Sequence, residues 1–115
     1  MKKPTARPGA PSRFDVFLTN LDPTRGSEIN KQRPCVVVTP DEINHSWSIV
    51  VIAPMTTSVR DRPWRVACRF GGKNGQILLD QIRTVDRRRF ARRLGRLDRT
   101  TGATVLDALA EMFAP

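Results

Sequence analysis

Two β-branched runs limit what this chain can become. Cys35–Val38 is continuous and apolar, and Trp47–Met55 follows after a short break, with Pro54 near its end. Both read as strands, the first buried on both faces. Shorter strand-like runs surround them at Phe14–Leu18, Pro63–Cys68 and Gln76–Leu79. Between the last two lies Gly71-Gly72-Lys73-Asn74-Gly75, where Asn74–Gly75 predicts the hairpin turn, because both central residues must take φ > 0. Asp41–Asn44 predicts a single helical turn, and Gln81–Arg93 a short helical turn leading to a strand at Leu94–Leu97. Only the C-terminal stretch has helical periodicity. There Asp98 or Thr100 can N-cap a helix whose stripe is Val105, Leu109 and Met112, with Leu106 and Phe113 beside it. Short strands followed by one amphipathic helix predict a mainly β fold, a small barrel or strongly bent sheet with the helix packed on it.

The chain has 115 residues, which suits one domain, since domains commonly run to roughly 100–150 residues. It is too short for a dinucleotide-binding fold plus a substrate domain, or for a TIM barrel of roughly 250 residues. No apolar run approaches the ~18 residues of a membrane span, and the basic N-terminus lacks the apolar core of a secretory signal. Cys35 and Cys68 are far apart with no metal-ligand spacing around them, so reduced thiols and a cytoplasmic location are expected, without a disulfide. His45 is the single histidine. It excludes a two-histidine acid–base pair within one chain and makes a histidine-based metal site improbable.

Charge is unevenly placed. The formal net charge is +9, and two segments carry it. Residues 1–13 hold Lys2, Lys3, Arg7 and Arg13 with no acid, and read with their prolines as a flexible basic tail ahead of a folded domain at 14–115. Residues 83–99 hold eight arginines against Asp86 and Asp98. The remainder is close to neutral. Such a surface attracts polyanions, phosphate backbones above all, although an Arg-rich run is also compatible with a solvated face and nothing more.

The densest chemistry lies in Leu21-Asp-Pro-Thr-Arg-Gly-Ser-Glu28 and the Arg33–Pro34 pair that leads into the valines. With Phe14–Asp15–Val16, Ala53-Pro-Met-Thr-Thr57, Leu79-Asp-Gln-Ile-Arg-Thr84 and Gly95–Arg96–Leu97 in this order, the sequence resembles the MazF/PemK family of toxin endoribonucleases from bacterial toxin–antitoxin pairs. The resemblance implies an SH3-like barrel with a C-terminal helix, assembled as a homodimer. It also implies metal-independent, sequence-selective cleavage of single-stranded RNA, leaving 2′,3′-cyclic phosphate and 5′-hydroxyl ends, with no cofactor. An acidic antitoxin is the implied protein partner, competing with RNA for the same arginines. No membrane partner is expected.

Residue by residue, the family's catalytic arginine falls on Arg33, its threonine on Thr56 and its first-loop glutamate on Glu28. Its Asp–Gln pair falls on Asp80 and Gln81. Arg25, Thr57, Trp64 and Arg83 are further candidates for catalysis or RNA binding. Two departures stand out. Leu78 occupies the position of an additional arginine found in some members, and Ser27 and Asn30 stand where others carry a first-loop histidine.

The residue types suit the reaction. RNA brings its own nucleophile, the 2′-hydroxyl, so neither a protein nucleophile nor metal-bound water is required. Arg33 can stabilise the phosphorane-like transition state through two oxygens, but is a poor proton carrier because its pKa lies above ~12. Thr56 can donate a hydrogen bond to the same oxygens, which leaves Glu28 or Asp80 to move a proton.

Each residue also has a plainer reading: Arg33 paired with Asp22 or Glu28, Thr56 an ordinary strand-end threonine, Asp80 a turn residue, and His45 a surface residue. Trp47 and Trp64 fit core or dimer contacts as well as stacking, with Trp64 the better stacking candidate beside Arg62 and Arg65. Two other functions compete. One is a non-catalytic toxin of the same fold that inhibits a protein such as DNA gyrase, and the other is a silent nucleic-acid-binding barrel.

Overall fold

The Val-rich run forms strand β2 (Gln32–Val37) and the second β-branched run forms β3 (Ile49–Thr56). The computed structural model describes residues 9–21 and 32–115. Around these two strands lie β1 (Asp15–Asn20), β4 (Arg65–Phe70), β5 (Lys73–Leu78), β6 (Arg83–Asp86) and β7 (Phe90–Arg96). Their order is β4-β5-β3-β2-β1-β7, with β6 also paired to β3. All these pairings are antiparallel. The expected fold class, mainly β with a C-terminal helix, is the one observed.

β3 organises the bend. Its first half, Ile49–Ile52, pairs with β6, and its last two residues pair with β5. Pro54, which has no N–H to donate, sits between the two ladders. The strand therefore continues past Pro54 to Thr56.

The Cys35–Val37 half of β2 is buried on both faces, as its valines require, while Gln32 and Arg33 are exposed. Val36 joins Val16, Ala53, Met55, Ile77 and Val105 in one core cluster. Cys35 and Val37 join Val50, Ile52 and Val85 in a second, flanked by Phe17 and Phe90. Those two rings stack with centroids 4.2 Å apart. Each buried aliphatic side chain contributes about 1.5–3 kcal/mol.

The helical elements follow local chemistry. Asp41–Asn44 forms the one-turn helix α1 as expected. Helix α2 (Arg99–Met112) is capped by Asp98, whose carboxylate accepts the Thr101 amide at 3.2 Å. Val105 is buried, while Leu109 and Met112 lie half-buried against the first cluster. Gly102 lets the helix approach the Phe14 ring, since a Cβ there would stand 2.8 Å from it. Phe14 itself holds φ 75, a strained backbone position for an aromatic residue. It is fixed from both sides, because its N–H donates to Val37 O at 2.7 Å and its carbonyl accepts from Leu97 N at 3.0 Å.

Two expectations need correction. The β4–β5 turn is Gly71–Gly72, with φ 59 and 76, and Asn74–Gly75 lies inside β5. Both dipeptides satisfy the chemistry of a two-residue hairpin turn; a tertiary contact at Gly75, described below, decides between them. The last strand begins at Phe90 rather than Leu94, because Phe90 pairs with Thr19 and stacks on Phe17. The helical turn expected before it is the 3-10 turn Arg87–Arg89. Of the N-terminal segment, residues 9–13 are described. Pro11 is buried, the Ser12 amide donates to Asp15, and the Arg13 amide donates to Asp41 at 2.7 Å.

Candidate active site

Strand register brings the first two candidates together. Cys35 pairs with Pro54 at the end of the β2–β3 ladder, and Arg33 and Thr56 each lie two residues beyond that pair on their own strands. On the other side of β3, Thr56 pairs with Gln76 of β5. Arg33 and Thr56 line one cavity of about 340 Å³ together with Pro34, Met55, Thr57, Cys68, Phe70, Lys73 and Gly75. Met55, Cys68 and Phe70 give it an apolar part, while Arg33 and Lys73 supply two cations. No acid is among the lining residues described.

Gly75 explains how the strands come so close. A Cβ at this position would run into the backbone carbonyl oxygen of Thr56. Thr56 is further tied by its own hydroxyl, which accepts the Ser58 amide at 3.0 Å. That bond uses an oxygen lone pair, so the Thr56 O–H remains able to donate into the cavity.

Cys68, half-buried in the lining, has its thiol pKa raised, first by burial and then by the Asp98 charge. Cys35 is fully buried nearby on β2, and burial pushes its thiol up to about 11. Neither cysteine is paired with the other.

The remaining candidates are dispersed. Thr57 is exposed at the cavity edge. Asp80 lies outside the lining and forms a two-point ion pair with Arg65, both contacts at 3.3 Å. The Arg65 side chain is only 5% exposed, so Asp80 neutralises a charge that would otherwise be buried alone. Gln81 and Arg83 are exposed. The Trp64 side chain packs against the first core cluster, whereas Trp47 is the exposed tryptophan, at 54%. Glu28 and Arg25 lie outside the described residues.

Much of the Arg-rich segment holds the protein together. Arg87 donates to the carbonyls of Asn44 and Trp47, and Arg89 to that of Asn20. Arg93 and Arg96 share Asp15, and Arg88 pairs with Asp86. Sequence reasoning missed Lys73, Cys68 and Phe70 as cavity residues and Arg65 as the partner of Asp80. Lys73 had a visible signal, a cation beside the Gly71–Gly72 turn. The others look like ordinary strand residues. Among the described residues no group of three or more metal-ligating side chains occurs, and no helix is long and apolar enough to cross a membrane.

The bent sheet and its cationic cavity define a small half-barrel protein suited to an anionic ligand. Residues 12–113 match the model of the PemK-like, MazF-like toxins of type II toxin–antitoxin systems, and the chain belongs to that family. It is 31% identical over 75 residues to the endoribonuclease toxin MazF of Escherichia coli K12, covering 65% of this chain and 68% of the relative. With the endoribonuclease MazF of Staphylococcus epidermidis it shares 33% identity over 103 residues, 84% of this chain and 86% of the relative. Among solved structures, a mycobacterial endoribonuclease in complex with its cognate antitoxin superposes with a TM-score of 0.76 at 26% identity. That match covers 92% of this chain and 98% of the other.

Proposed function

We propose that this protein is the toxin of a type II toxin–antitoxin pair and acts as a sequence-selective endoribonuclease on single-stranded RNA without a metal. The observation that carries the reading is the convergence of Arg33 and Thr56 on one cavity with two cations in its lining. Family membership and relatives named as endoribonucleases support the same activity.

In the proposed reaction the 2′-oxygen attacks the adjacent phosphorus, and the bond to the 5′-oxygen of the next nucleotide breaks. The products are a 2′,3′-cyclic phosphate and a 5′-hydroxyl. Arg33 holds the non-bridging oxygens as negative charge builds on them, and Thr56 donates a hydrogen bond to the same group. Glu28 takes the proton of the attacking 2′-hydroxyl and returns it to the departing 5′-oxygen. Asp80 is the weaker candidate for that role, because a buried arginine already claims its carboxylate. Lys73 adds charge for the phosphate backbone, and Met55, Cys68 and Phe70 offer apolar contact to a base or ribose.

The acting form is a cytoplasmic homodimer. Its antitoxin is an acidic segment that competes with RNA for the cationic cavity, a charge logic that suits a chain of +9. The folded unit is 14–115 with its immediate N-terminal flank, preceded by a basic tail. Incubation with RNA in EDTA tests the activity. Cyclic-phosphate and 5′-hydroxyl ends are expected, whereas intact mRNA, tRNA and rRNA contradict the reading.

A further inference from the structure

Gln76 is an unexpected residue where it stands. It lies inside β5, beside Ile77 and Leu78 and paired with Thr56 on one side and Ala67 on the other. It is 9% exposed. A polar side chain at such a position is costly unless its hydrogen bonds are met. Here they are met by one residue of a neighbouring loop. The Arg60 amide donates to Gln76 Oε1 at 3.0 Å, and Gln76 Nε2 donates to Arg60 O at 2.9 Å. The carboxamide thus grips both backbone polar groups of Arg60, as a strand partner would.

The loop needs such a grip. Every residue from 57 to 63 is exposed, so burial does little to fix its course. Among the described residues its other hydrogen bonds are local, the Ser58 amide to the Thr56 hydroxyl and the Arg62 amide to Arg60 O. It begins at Thr57, on the wall of the Arg33–Thr56 cavity, and carries Val59, Arg60 and Arg62 outward. A loop held there presents one arrangement of side chains to RNA entering the cavity, and a released loop presents many.

We infer that Gln76 is a specificity-positioning residue, which clasps Arg60 to hold the 57–63 loop beside the cavity and so sets which bases next to the cut are accepted. This rests on the endoribonuclease reading. Gln76 touches neither the scissile phosphate nor Arg33 in this account, and acts only through the loop.

The test uses the full chain and a randomised single-stranded RNA pool, with the products sequenced at their ends. Gln76→Met keeps much of the side-chain volume and removes both hydrogen bonds. Preference for the bases flanking the cut should weaken by about tenfold, and on a preferred oligonucleotide the loss should fall on KM more than on kcat. Wild-type protein that cuts, with Gln76→Met cutting at the same ranked sites and the same KM, overturns the inference. Wild-type protein that does not cut sinks the endoribonuclease reading instead. Should Gln76→Met fail to fold, Gln76→Glu keeps an acceptor for the Arg60 amide but loses the donor, and an intermediate loss of preference is expected. Hydrogen exchange at the Arg60 amide of the wild type gives an independent check. Protection supports the clasp, and exchange as fast as in an open loop contradicts it.

Discussion

At the scale of single residues, Arg33 and Thr56 divide the work of the proposed reaction. Arg33 is a permanent charge in a planar fork, suited to a phosphate losing its symmetry. Thr56 contributes one hydroxyl, already oriented by the Ser58 amide. Thr56→Val should therefore lower kcat by about 10²-fold, the usual cost of one lost donor to a developing anion, with Thr56→Ser recovering most of it. Single-turnover cleavage of one oligonucleotide checks this, and equal rates for the valine and wild-type proteins would remove Thr56 from the site. Arg33, Thr56 and Glu28 are named from motif order alone; Arg33 and Thr56 share a cavity, while Glu28 lies outside the described residues. The Arg65–Asp80 pair was not legible in the sequence. Both look like surface residues in a linear reading, and only the three-dimensional packing that buries Arg65 gives Asp80 its structural duty.

At the scale of elements, the site depends on how closely β3 and β5 approach. Gly75 sits where any side chain would strike the Thr56 carbonyl. Gly75→Ala should push Thr56 from its place, reduce cleavage severely, and destabilise the fold by about 1–3 kcal/mol, typical of overpacking. Cleavage assays and denaturant unfolding measure the two effects, and an alanine variant that is wild-type in both contradicts the close approach. The same contact explains why Asn74–Gly75 was mistaken for the turn. Local chemistry permits a turn there, but β5 must run through Gly75 to reach Thr56. By contrast, the β2 run could be read directly and the helix cap narrowed to Asp98 or Thr100, of which the structure uses Asp98, since β-branching and capping are local properties. Of the helical turn expected within Gln81–Arg93, Arg87–Arg89 is the part observed; strand β6 in the same stretch was not expected, nor was the start of β7, which is set by Phe90 meeting Phe17 across the sheet.

At the scale of the whole molecule, charge and burial set the working range. The net charge of +9 draws polyanions towards the protein. Yet Arg87, Arg88, Arg89, Arg93 and Arg96 already hold backbone or carboxylate oxygens. The basic segment is thus partly a structural brace, a division of labour that composition could not reveal.

Stability should also respond to alkali. The Cys35 thiol rises from 9.0 to about 11 in the fold, so folding favours its protonated form. Its contribution is complete below about pH 9 and declines as pH rises towards 11, because the unfolded chain ionises first. The chain has no tyrosine to titrate in that window. Denaturant unfolding at pH 8 and pH 10.5 should show a larger loss for wild type than for Cys35→Ala. Equal losses would mean that the thiol is not the source.

The central claim is that Arg33 carries RNA cleavage in a cavity shared with Thr56. Mapping 5′-hydroxyl ends from total RNA treated in EDTA with wild-type or folded Arg33→Ala protein tests it most directly. A defined set of new ends is expected from the wild type and none above background from the variant. The same ends at the same rate from Arg33→Ala would contradict it.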